Sequence, residues 1–352
     1  MQYRTLGSTG VHVSSLCLGA MMFGKWGRSP ESRPDHDDSI GIIRTALDAG
    51  VTIIDTADVY SGGESEVVVG KAISGRRDDV VLATKVSSPM GTGLNERGAS
   101  RHWIARACEA SLRRLGTDHI DLYQVHRPDP ATDLDETLGA LSDLVHAGKI
   151  CYAGSSTFAP STIVAAQWTA ERRQRERFVC EQPPYSLLTR GVEADVLPTC
   201  ETYRMGVLAW SPLAGGWLSG RWRRDAADLS SHRTTTMPFR TTSAHYDLDV
   251  PGNQAKLDAA TELAGIADEA GLTLIQLALA FVTTHPAVTA AIIGPRTVEH
   301  LNDQLSAADI VLEPAVLDRI DAVVAPGTDL NPDDAGYSAA VLADPKRRRR
   351  VR

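Results

Sequence analysis

A short apolar run followed by a helical pattern recurs eight times along this chain, and that repetition restricts the fold more than any other feature. The runs read as strands over residues 15–19, 51–54, 79–85, 119–125, 149–154, 178–181, 206–210 and 290–293, rich in β-branched and other apolar side chains that pack on a pleated surface. Between them the apolar spacing turns helical. Ile40, Ile43 and Leu47 share one face of residues 37–49, and Leu134, Leu138, Leu141 and Leu144 share one face of 133–147. Ser100 and Gly116 bracket another helix as cap and stop. Further helices are expected over 64–73, 161–176, 193–203, 254–269, 274–283, 297–305 and 312–323. Strands that alternate with helices at this length predict an α/β fold, a single (β/α)8 TIM barrel with parallel strands. The expected domain covers residues 1–352, with its core over 3–323. A hairpin around Gly7 and Gly10 covers one end of the barrel, and a long irregular loop over 214–253, before the last strand, reads as a binding loop or lid.

Composition enters as a set of exclusions. With 352 residues, 43% of them apolar, the chain has enough material for one large core. A net charge of −8 argues against a nucleic-acid surface, and the basic end KRRRRVR reads as a solvated, disordered tail. The five cysteines, Cys17, Cys108, Cys151, Cys180 and Cys200, show no paired spacing. They read as reduced thiols of a cytoplasmic protein, with neither a disulfide framework nor a metal site. No apolar run reaches the ~18 residues of a membrane span, and the N-terminus lacks a signal pattern. A soluble protein with no membrane partner is expected.

In such a barrel the reacting groups stand at the carboxyl ends of the strands. Those positions hold Gly19, Asp55 with Tyr60 five residues on, Lys85, His126, Ser155 and Ser156, Gln182, Trp210 and Ser211, and Gly294 with Arg296. Each has an ordinary reading: Asp55 as a cap, Lys85 as a surface charge, His126 as a turn residue before Pro128. Independent turn chemistry does not readily gather Asp, Lys, His and Tyr at one rim. Together they permit a specific reaction. Tyrosine, with an ordinary pKa near ~10, is a poor acid unless a cation favours its phenolate. Lys85 can supply that cation, Asp55 can hold Lys85, and His126 can donate a hydrogen bond to a substrate oxygen. This set fits proton delivery to a carbonyl oxygen as it becomes an alkoxide. Gly91-Thr92-Gly93 starts like a dinucleotide fingerprint, but Glu96 stands where the third glycine belongs, so no Rossmann fold is expected.

The chain resembles the aldo-keto reductases, in the bacterial branch that also resembles potassium-channel β subunits. The matching stretches are Leu18-Gly19-Ala20-Met21-Met22-Phe23-Gly24, Ile54-Asp55-Thr56-Ala57-Asp58-Val59-Tyr60 and Ala83-Thr84-Lys85. They continue with Leu115-Gly116-Thr117-Asp118, Leu122-Tyr123-Gln124-Val125-His126, Gly154-Ser155-Ser156, Trp210-Ser211-Pro212-Leu213 and Ile293-Gly294-Pro295-Arg296. The resemblance implies a catalytic tetrad of Asp55, Tyr60, Lys85 and His126, with Tyr60 as the acid in carbonyl reduction. It implies NADPH extended across the barrel mouth, near Gly19, Met21, Asp55 and Gly294. Ser155 and Gln182 would hold the nicotinamide carboxamide, and Trp210 would stack on the ring where tyrosine is usual. Ser211, Leu213 and Gly215 would line the pyrophosphate path. Arg296 would face the 2′-phosphate, with His300 and Gln304 near adenine in place of the usual Gln and Asn.

Two function classes follow from the resemblance: an NADPH-dependent reductase of aldehydes or ketones, and a cofactor-loaded regulatory subunit with slow turnover. The intact tetrad favours the first. A small-molecule carbonyl is the expected partner, with Trp26, Tyr60 and His126 at the substrate and Trp217 and Trp222 completing an apolar wall. A homo-oligomer is compatible with the sequence.

Overall fold

The computed structural model describes residues 1–24, 35–224 and 245–336. Eight parallel strands close a barrel: β3 (Leu16–Gly19), β4 (Ile53–Asp55), β5 (Val81–Val86), β6 (Ile120–Val125), β7 (Ile150–Ser156), β8 (Phe178–Gln182), β9 (Gly206–Ala209) and β10 (Ala290–Ile293). They pair in chain order, and β10 returns to pair with β3. Closure leaves no sheet edge, and both sheet faces are covered, so the strands are almost wholly buried. Cys17, Ile53, Ala83, Leu122, Cys180, Leu208 and Ala290 cluster as an inner core.

Ahead of the barrel, β1 (Tyr3–Thr5) and β2 (His12–Ser14) form the expected antiparallel hairpin. Leu6 and Val13, both fully buried, pack onto that inner cluster and plug the end of the barrel opposite the strand carboxyl ends. The surrounding helices are α1 (His36–Asp48), α2 (Glu64–Ile73), α3 (Arg101–Leu115), α4 (Leu134–His146), α5 (Pro160–Arg173), α6 (Val196–Thr202), α7 (Pro251–Glu269), α8 (Leu274–Thr284), α9 (Val298–Leu305) and α10 (Pro314–Val323). Ser100 accepts from the Trp103 amide at the start of α3, and Gly116 closes it in the left-handed conformation (φ 64°).

Several boundaries differ from the sequence expectation. The single helix expected over 193–203 breaks at Asp195 (φ −150°) into a 3-10 turn, Gly191–Ala194, and the short α6. Helix α5 stops at Arg173 because Gln174 turns left-handed (φ 53°). Helix α7 starts at Pro251, inside the stretch expected to be loop, because proline is pre-set for the first helical turn. The 79–85 strand starts late, after a 3-10 turn over Arg77–Asp79. Part of the 214–253 loop, the basic end and Trp26 lie outside the described residues. Among the described residues, no single helix is long and apolar enough to cross a membrane.

Candidate active site

Strands β4, β5 and β6 end side by side, and this adjacency gathers residues far apart in sequence. Asp55 is the last residue of β4, and β5 carries Lys85 next to its end. Lys85 is fully buried, and its Nζ donates to Asp55 Oδ2 at 2.5 Å, to the Thr56 carbonyl at 2.9 Å and to Tyr60 Oη at 3.3 Å. Tyr60 sits half-buried at the start of a 3-10 turn before α2, with Nζ 4.9 Å from its ring centroid. His126 follows β6 and meets the Tyr60 ring edge-on, centroids 5.7 Å apart. The four expected catalytic residues therefore form one contact group.

Their protonation follows from their surroundings. Burial alone would lower the Lys85 pKa, but Asp55 and Tyr60 outweigh it, and the net value lies above that of an ordinary lysine. Lys85 is a lasting ammonium. For Tyr60 the sequence argument expects Lys85 to lower the phenol pKa, and here the outcome differs: burial pushes it up, the lysine pulls it down, and burial prevails. The phenol therefore keeps its proton at neutral pH. Burial, then Lys85 and Arg127, push His126 well below the usual imidazole range, so it is neutral. Ser88 Oγ and His126 Nδ1 share a hydrogen bond at 3.3 Å; in the tautomer in which the hydroxyl donates, Nε2 carries the ring proton.

The remaining expected residues stand around the same rim. Gln182 Nε2 donates to Asp55 Oδ1 at 2.8 Å, which joins β8 to the tetrad. Ser155, buried on β7, donates its hydroxyl to Glu181. Trp210 lies just past β9, with its indole nitrogen buried and without a hydrogen-bond partner, and the Arg127 guanidinium lies 5.8 Å from its ring. Ser211 (φ 55°) and Gly215 (φ 69°) turn the chain left-handed on either side of half-buried Leu213, so that this segment folds into a tight curve lining a pocket beside Trp210. Met21 and Gly294 are exposed, and a Cβ at Gly294 would meet nothing within 4 Å. Gly19 has a packing reason to be glycine, because a Cβ there would lie 2.7 Å from Ile292 Cγ2 and 3.0 Å from the Ile293 carbonyl. Arg296 and His300 stand at the start of α9, and Gln304 is buried further along it with an unpartnered Oε1. Trp217 and Trp222 do not form an open substrate wall. Both are buried, their ring centroids are 4.2 Å apart, and each stacks on Tyr246.

A profile of the Aldo/keto reductase family matches residues 15–325. The chain belongs to the aldo/keto reductase family. It is 42% identical over 328 residues to the uncharacterized oxidoreductase YrpG of Bacillus subtilis, covering 90% of this chain and 94% of that protein. It is 34% identical over 331 residues to a probable voltage-gated potassium channel subunit beta of Arabidopsis thaliana, covering 92% and 97%. The versiconal hemiacetal acetate reductase of Aspergillus parasiticus is 31% identical over 351 residues, covering 93% and 98%. Family and relatives support oxidoreduction of carbonyl compounds as its reaction class.

This aldo/keto reductase also relies on groups that sequence reasoning passed over. Gln124, on β6, donates to Asp55 Oδ1 at 3.2 Å, so the carboxylate is held by Lys85 on one oxygen and by two amides on the other. A carboxylate held in this way anchors Lys85. Glu181, fully buried, has its pKa pushed up to about 7 by burial against the opposing bonds from Ser155 and the Phe158 and Thr157 amides. Arg127 bonds Thr157 Oγ1 at 2.9 Å and Ser156 Oγ at 3.4 Å, tying the β6 and β7 loops together. A polar residue next to a strand-end motif, as Glu181 is to Gln182, was the available signal.

Proposed function

We propose that this aldo/keto reductase reduces an aldehyde or ketone to an alcohol with NADPH, and that Tyr60 delivers the proton. The observation that carries the reading is the buried Asp55–Lys85 pair bonded to half-buried Tyr60, with neutral His126 against the tyrosine ring. Here Lys85 supplies a fixed positive charge beside a phenol that still holds its proton. As the carbonyl oxygen gains negative charge, His126 Nε2 donates to it and Tyr60 transfers its proton. The adjacent ammonium stabilises the resulting phenolate. Arrangement before reaction is the main contribution, because Asp55 holds Lys85 at no cost during the chemical step.

The rim fits the cofactor. Trp210 offers a flat face, Ser211 to Gly215 a curved backbone, and Gly294 open space. Burial, then Arg296 and Arg221, lower the His300 pKa, so two guanidinium groups act on this part of the rim, and in this reading they take the 2′-phosphate. Gln304, with its buried unpartnered oxygen, suits an adenine amino group. Ser155 and Gln182 hold the carboxamide in this reading, and Met21 flanks the nucleotide. When bound, the reduced nicotinamide supplies the hydride to the carbonyl carbon. The reading takes the chain as one domain, and its five unpaired thiols suit a cytoplasmic protein.

The similarity to a channel β subunit favours a second reading, a nucleotide-loaded regulatory subunit with slow turnover. Purified protein with NADPH and a panel of aldehydes and ketones separates the two. Carbonyl-dependent loss of NADPH absorbance supports the reductase, and its absence across the panel favours the regulatory subunit. In the same assay Arg296→Ala is expected to weaken NADPH binding about tenfold, the scale of one charge-assisted hydrogen bond, with little change for NADH. Equal losses for both nucleotides would remove the 2′-phosphate assignment.

A further inference from the structure

At the barrel end opposite the active-site rim, a second group of reactive side chains converges. His119 precedes β6, Asp121 lies in it, and Cys151 lies beside them on β7, where Ile120 pairs with Ile150 and Leu122 with Tyr152. One ligand atom from each residue lies within 4.8 Å of the other two. Nitrogen, oxygen and sulfur together form a donor set for a borderline divalent metal, and tetrahedral zinc would separate such atoms by roughly 3.3 to 3.7 Å. The present separations, up to 4.8 Å, exceed that spacing by about an ångström, which a shift of the exposed Cys151 side chain would take up.

The neighbouring bonds aim the donors inward. Asp118 Oδ1 pairs with His119 Nδ1 at 2.7 Å, which leaves Nε2 directed at Asp121 Oδ1, 3.9 Å away. The Arg77 guanidinium and the Leu82 amide both donate to Asp121 Oδ2, at 2.7 and 2.8 Å, so that Oδ1 alone is presented. Arg77 and Thr117 also hold the His119 carbonyl. A carboxylate behind a ligating histidine, and a carboxylate fixed through its other oxygen, are the supports that metal ligands ordinarily have. Cys151 is the exposed cysteine, whereas the other four are buried. The positive charge of Arg77 opposes a cation, but the carboxylates of Asp118 and Asp121 together outweigh it.

We propose that His119, Asp121 and Cys151 form a binding site for a divalent transition-metal ion of the zinc class, completed by water in the fourth position. Binding would release the Cys151 thiol proton to solvent. The spacing was invisible in the sequence, because Cys151 reaches the other two only through the β6–β7 pairing.

Cobalt(II) tests the site. Metal-stripped, reduced protein titrated with Co2+ is expected to develop the ligand-field bands of a four-coordinate ion and an ultraviolet thiolate-to-cobalt charge-transfer band, both bleached by Zn2+. Cys151→Ser should remove the charge-transfer band, and Asp118→Asn should weaken binding by roughly tenfold. Far-UV circular dichroism confirms that each variant is folded. No charge-transfer band in the parent protein, or a band that persists in Cys151→Ser, would overturn the proposal.

Discussion

Asp58 stands three residues from Asp55 and two from Tyr60, in the protein's interior. Its carboxyl is fully buried with no side-chain hydrogen-bond partner, and its backbone amide reaches the Lys85 carbonyl at 3.3 Å. Burial first, then Glu66, pushes its pKa up to about 8. In the unfolded chain the same group titrates near ~4, so between those values the unfolded state binds fewer protons and stability falls as pH rises. The full contribution is present below about pH 4 and is lost as pH climbs to about 8, a total on the order of several kcal/mol. Asp58→Asn should remove that slope and raise the melting temperature at pH 8 more than at pH 5. Thermal scans of both proteins across that range check it, and parallel curves would refute the assignment. The contact of these four residues was legible because Asp55, Lys85 and His126 stand at the ends of apolar strands and Tyr60 in the loop after the first of them. Gln124 was not, because a glutamine inside an apolar strand looks like an interruption until Asp55 is seen across the barrel. The raised Tyr60 pKa was also hidden, since burial is a property of the fold and Lys85 was the visible influence.

Among the elements, α2 and α3 show how closely helices approach behind the site. A Cβ on Gly70 would lie 2.7 Å from the Leu115 carbonyl carbon and 2.9 Å from its Cα, backbone that cannot rotate away. Gly70→Ala should push α2 from the end of α3 and destabilise the protein by about 1–3 kcal/mol, despite alanine's better helix propensity. Urea denaturation gives the difference directly, and a gain in stability would show that α2 shifts freely. The helix end marked by the Ser100 cap was readable in sequence, and the helices expected from Asp133 and Thr297 start with those residues as side-chain caps. The break at Asp195 and the left-handed stop at Gln174 carry no such mark and follow from how the chain meets its neighbours.

At the scale of the whole molecule, the eightfold repeat announced the barrel, and the N-terminal hairpin plugs one end as its alternation suggested. The return of the C-terminal segment across the other end was not legible. Leu330 pairs with the Leu188 carbonyl, Asp329 Oδ1 accepts from the Gly191 amide, and Asp334 faces both Lys256 and His245. A Cβ on Gly336 would lie 3.0 Å from the Trp210 ring. Asp334→Ala should therefore loosen this segment and speed its proteolysis, with a stability loss of roughly 3 kcal/mol as Lys256 loses its carboxylate. Unchanged proteolysis would show that the backbone pairing holds the segment alone. These scales meet in one claim, that the barrel exists to hold a protonated tyrosine against a buried ammonium for carbonyl reduction. The most direct test compares Tyr60→Phe with the parent protein for carbonyl-dependent NADPH oxidation and, by fluorescence titration, for NADPH binding. Reduction should fall by about 10²–10⁴-fold while nucleotide affinity stays within about twofold. Parent-level reduction by Tyr60→Phe would contradict the account.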